Sequence, residues 1–149
     1  MYRFVSFIII FSIVSVMLYF HNESSHFTAV NHAYAHHENH IVIPASERTP
    51  SITGSVVQDP SGTWLLQINT ENFQFAPEKV GTENVTYNEG HAHIYINGKK
   101  INRLYGNYYN LDKLKSGTYD IKVTLNGNNH GVFIVDGKEV VYKETIVVT

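Results

Sequence analysis

The chain has 149 residues, of which 43% are apolar, 13% aromatic and 16% charged, with a formal charge of −2. That balance excludes disorder, which requires low hydrophobicity and high net charge, and it lacks the basic excess of a nucleic-acid binder. The absence of cysteine excludes a disulfide framework, a thiolate zinc finger, a cysteine nucleophile and a thiolate-bearing blue-copper site.

In chain order, the first element is an almost unbroken apolar run from Phe4 to Phe20, preceded by Met1-Tyr2-Arg3. One cation followed by a long apolar core is the pattern of an export signal, and the run also reaches the lower limit for spanning a bilayer. Residues 1–35 therefore read as a signal peptide or a membrane anchor, and either places the remainder outside the cytoplasm. The best small-x-small cleavage site is Ala33-Tyr34-Ala35, although it lies far from the apolar core for a signal. A cut after Ala35 would make His36 the first residue of the mature chain, and its α-amine and ring Nδ1 could then chelate one metal ion. The alternative is a solvated histidine-rich tail. His21, His26 and His32 would leave with the signal.

Residues 36–50 carry three histidines, Pro44 and Pro50, and read as an extended linker. From Ser51 the pattern becomes short β runs separated by turn residues. Ser51 to Gln58 is a strand, closed by the turn Asp59-Pro60-Ser61-Gly62, and Thr63 to Asn69 follows with Trp64, Leu66 and Ile68 on one face. An edge-like stretch around Phe73 and Phe75 and a polar loop from Glu83 to Gly90 precede the clearest local signal. His91 to Ile96, Asn97-Gly98 and Lys99 to Tyr105 form a hairpin, since Asn-Gly is the preferred type I′ turn. Thr118 to Asn126 is a strong strand with Tyr119, Ile121, Val123 and Leu125 on one face. Val132 to Val135, the turn Asp136-Gly137 and Lys138 to Thr149 read as a second hairpin. No helical period persists after residue 50. Seven or eight short strands over residues 51–149 indicate an all-β, antiparallel sandwich of immunoglobulin or cupredoxin-like type, with a small barrel as the alternative.

The histidines are the compositional outlier: there are nine, and six fall between His21 and His40. His91 and His93 are two apart in a strand, so both project from one face with Tyr95, leaving Ala92, Ile94 and Ile96 for the core. His130 lies in the turn-rich loop Asn126-Gly127-Asn128-Asn129-His130-Gly131, just after the strong strand. Strand-end loops of a sandwich gather at one pole, which lets His130 meet the pair. A His-x-His pair alone is more often two exposed histidines on a solvated face than a metal site; its place at a strand start, the third loop histidine and the missing cysteine favour a metal site here.

Glu89-Gly90-His91-Ala92-His93-Ile94-Tyr95-Ile96-Asn97-Gly98, followed by Arg103-Leu104-Tyr105-Gly106 and by Val123-Thr124-Leu125-Asn126-Gly127-Asn128-Asn129-His130, resembles a largely uncharacterised family of small exported bacterial and archaeal β proteins. The resemblance runs from about Thr70 to Val141. It implies a role for His91, His93 and His130 without naming a reaction. A looser similarity is to copper-binding domains that combine a mature terminal histidine with a His-x-His pair. Examples are the cupredoxin-like soluble part of membrane methane and ammonia monooxygenases, periplasmic copper carriers and lytic polysaccharide monooxygenases. It implies His36 as the terminal ligand and His91 with His93 as the pair; only the ligand set is shared.

Among other features, Asn84-Val85-Thr86 is a glycosylation sequon. Tyr105, Tyr108 and Tyr109 read as packing residues ahead of a sugar platform, and Lys99, Lys100 and Arg103 as a solvated hairpin edge. No hydrolytic triad, carboxylate pair or phosphate-cradling loop is present, so nothing marks the chain as an enzyme. The expectation is an extracytoplasmic protein that carries or buffers copper, with zinc as the alternative metal, through His91, His93, His130 and His36. A membrane or envelope protein is a possible partner, and nucleic acid is not. The rivals are an envelope or adhesion module with incidental histidines and a copper oxygenase with a terminal-histidine brace.

Overall fold

The computed structural model describes residues 2–30 and 39–149, and of residues 21–30 the backbone alone. The chain divides into two units, residues 1–37 and 38–149. In the first, helix α1 runs from Tyr2 to Val30. Its segment Tyr2–Phe20 is long and apolar enough to cross a membrane, with a mean hydropathy of 2.2 and no buried side chain. The proposed cut after Ala35, and His36 itself, lie outside the described residues.

Among the described residues, the second unit contains eleven strands in two curled sheets that pack as a β-sandwich. The strands are β1 (His40–Val42), β2 (Ser51–Gln58), β3 (Trp64–Glu71), β4 (Gln74–Phe75), β5 (Glu89–Ile96), β6 (Lys99–Leu104), β7 (Tyr108–Asp112), β8 (Gly117–Asn126), β9 (Val132–Val135), β10 (Lys138–Glu139) and β11 (Val141–Val148). Strands β2, β3 and β7 form the smaller sheet; the other eight are built around β8, which pairs with β5, β9 and β11. No α-helix occurs in this unit among the described residues, and a single 3₁₀ turn spans Pro77–Lys79.

The core follows from period-2 alternation. Leu66 and Ile68 of β3 and Ile121, Val123 and Leu125 of β8 bury one face each and meet Ala92 and Ile94 of β5, with Phe133 of β9 closing the cluster. Each such Leu, Ile or Phe contributes about 1.5–3 kcal/mol of transfer free energy. Ile96 is only half-buried at the edge of this cluster, because it lies beside the turn. Asn97 and Gly98 both have positive φ, 49° and 78°, as a type I′ turn requires. The turn is also docked: Asp120 N–H donates to Asn97 Oδ1 at 2.8 Å, and Asn97 N–H to the Asp120 carbonyl at 2.9 Å.

Three expectations need correction. The stretch 36–50 is not wholly a linker: β1 pairs with β9, and Ile41 and Ile43 enter the core. That pairing, and the pairing of β4 with β5, are parallel, so the sheets are not purely antiparallel. The second hairpin is limited to β9 and β10; β11 instead runs along β8 for eight residues. The Asp136-Gly137 turn, with φ of 48° and 74°, reverses the chain, but the apolar partners of Ile146 and Val148 lie in the main core and draw β11 to β8.

Candidate metal centre

His91 and His93 leave β5 on the face opposite Ala92 and Ile94, as alternation predicts, yet that face is not solvated. His91 is 0% exposed and His93 5%. The register shows what surrounds them. On β8, Asn126 lies opposite His91 and Thr124 opposite His93, and both are buried. On β6, Arg103 lies opposite His93. The ring of Tyr105 covers His91 at a centroid distance of 5.9 Å.

Close strand approach fixes the start of β5. A Cβ on Gly90 would lie 2.0 Å from the carbonyl oxygen of Asn126, so only glycine permits the β5–β8 contact that sets His91. The third histidine is held by the loop after β8. Gly127 N–H donates to the Gly131 carbonyl at 2.8 Å, His130 N–H to the Gly127 carbonyl at 3.0 Å, and Asn126 Nδ2 to the His130 carbonyl at 3.1 Å. His130 itself has φ 68°, a left-handed conformation that is unfavourable for a side chain with Cβ. Ile41 of β1 packs against Gly127 and Gly131, so the strand hidden in the supposed linker braces the loop that carries His130.

The result is a cluster in which ligand nitrogens of His91, His93 and His130 all lie within 4.8 Å of one another. His91 Nε2 is 2.8 Å from His93 Nε2 and 3.2 Å from His130 Nδ1. Facing lone pairs at such distances repel, so a proton or a metal ion must lie in the shared space. Burial pushes the His91 ring down to about 4, with the charges of His130, Arg103 and Lys100 adding to the effect. Burial first, and then Lys100, push His93 down to about 2. Both rings are therefore neutral at pH 7, the form that coordinates metal. His91 Nδ1 is buried without a hydrogen-bond partner, a cost of about 1–3 kcal/mol. Such a cost is consistent with a residue kept for chemistry rather than for stability.

Lys100 corrects another expectation. It is not a solvated edge residue, since its ammonium donates to His93 Nε2 at 3.0 Å and burial, with Arg103 nearby, lowers it to about 8. Lys99 and Arg103 are exposed, as expected. Sequence reasoning also missed Thr124 and Asn126, whose Oγ1 to Oδ1 hydrogen bond of 2.7 Å lies beside the cluster. Their alternation with Val123 and Leu125 was a visible signal that β8 carries a polar face. No protein-family model matches the chain, and no curated protein shows significant similarity to it.

Proposed function

We propose that the protein binds one divalent transition-metal ion outside the cytoplasm through His91, His93 and His130, and carries or buffers that metal. The observation that supports this most is the convergence of three imidazole nitrogens within 4.8 Å, two of the rings being buried and neutral. Copper is the metal proposed first, because all-nitrogen ligation suits Cu(II) and no cysteine is present to build a soft site; three histidines serve zinc as well. The extracytoplasmic location rests on the apolar helix at the amino terminus.

His36 is proposed as an additional ligand. Its support is chemical: a histidine at a mature amino terminus offers both its α-amine and its ring nitrogen to one metal ion.

The test is metal content. The full chain is expressed through an export pathway, purified, stripped and titrated with Cu(II) and Zn(II). Uptake of one equivalent, lost in the variant His91→Ala/His93→Ala, is the expected outcome. A folded chain that takes up neither metal would replace this reading with the envelope interaction module.

A further inference from the structure

Lys100 and Arg103 are three residues apart, a spacing that puts side chains on opposite faces of a regular strand. The register of the hairpin prevents this. Tyr95 pairs with Lys100 and His93 with Arg103, while Ile101 has no partner across the β5–β6 ladder. A β-bulge of this kind re-aims side chains, and here it turns both cations to the histidine face. Lys100 reaches His93 Nε2 at 3.0 Å; Arg103 stays exposed at the rim. Among the described residues no carboxylate joins the histidine group. The one carboxylate of β5, Glu89, is tied to Lys79 at 2.7 Å.

A divalent ion on three neutral imidazoles would thus add two positive charges beside two existing cations. The three ligands of the fold also leave a coordination position open, and an ion that expands to five-coordinate keeps one even with His36 bound. The ion and the Lys100 ammonium compete for the same lone pair on His93, so occupancy would move the ammonium off Nε2 while β6 keeps it beside the site. We infer that the loaded site takes a small anion, a carboxylate or an oxyanion such as phosphate, held between the metal ion and the Lys100–Arg103 pair. This rests on the metal reading above and deepens it: the cargo is a metal–anion pair rather than a bare ion.

The full chain loaded with one equivalent of Cu(II) is titrated with azide, whose charge-transfer absorption on copper reports an anionic ligand. Lys100→Met combined with Arg103→Met is expected to weaken azide binding at least tenfold, with copper affinity equal or higher. Lys100→Arg, which keeps the charge, is expected to retain most of the azide affinity. Acetate and phosphate are then offered as competitors, and whichever displaces azide from the wild type at lower concentration identifies the anion class. Unchanged azide affinity in the double variant, or displacement by neither oxygen anion, overturns the inference while the metal site stands. A wild-type chain that takes up no copper overturns the metal reading and this inference together.

Discussion

On one face of β5, Ala92 and Ile94 lie in the apolar core between the sheets. On the other, His91 and His93 are as deeply hidden, but among imidazoles, amides and cations. Burial of the first face drives folding, because every apolar atom removed from water is a gain. Burial of the second opposes it, because a buried ring nitrogen without a partner loses its hydration. One strand therefore separates two roles, holding the domain together and presenting the proposed metal ligands, and substitutions on its two faces should separate stability from metal binding.

The largest effect should come where both roles depend on one backbone contact. Gly90→Ala places a Cβ against the Asn126 carbonyl and is expected to cost at least about 4 kcal/mol in denaturant unfolding, because backbone, not a pliable side chain, must move. Ile94→Ala tests the apolar face alone. It should lose about 3 kcal/mol by opening a core cavity, while the folded protein keeps its copper affinity. Equal losses of stability and affinity would merge the two faces into one.

Acidification probes the polar face. The folded-state values of His91 and His93 lie below the ordinary 6.5 of the unfolded chain, so between them the unfolded chain binds more protons. The metal-free protein should be most stable above pH 6.5 and lose up to about 1.4 kcal/mol per pH unit for each histidine as the pH falls towards 4. His130, Lys100 and Arg103 face the same rings, so the comparison is made against His91→Leu/His93→Leu, in which this part of the slope should disappear. A slope unaltered in that variant would place the acid sensitivity elsewhere.

At neutral pH the single variants His91→Leu and His93→Leu should each weaken Cu(II) binding at least tenfold while changing stability by no more than about 1 kcal/mol. An apolar side chain of comparable size fills the space and removes the unpartnered nitrogen. The smallest change in stability is expected for His130→Gly. Relief of the left-handed backbone offsets the greater freedom of glycine in the unfolded chain, leaving it within about 1 kcal/mol of wild type. Its copper affinity should nonetheless fall, as measured by competition with a chelator.

What could be read from the sequence was what depends on local period and turn chemistry. The alternation of Tyr119, Ile121, Val123 and Leu125 gave the inner face of β8, and Asn97-Gly98 gave the hairpin and hence the shared side of His91 and His93. Period alone assigns a face but not what covers it, so the burial of the two histidines beneath Tyr105 and the 126–131 loop was not legible. Nor was β1, a three-residue strand that pairs in parallel with a strand some ninety residues away. The bulge at Ile101 was invisible for a different reason: a two-residue turn predicts unbroken pairing along the hairpin, and the shift that brings Arg103 opposite His93 serves the burial of Leu104 opposite Ala92.

The central claim, that the three histidines of the fold hold the metal whether or not His36 joins them, is tested most directly by anomalous diffraction from crystals of the copper-loaded full chain. The account predicts one ion at about 2.0–2.1 Å from a ring nitrogen of each of His91, His93 and His130, with Lys100 withdrawn from His93. An ion bound among His36, His37 and His40, with the three rings of the fold still in mutual contact, would contradict it.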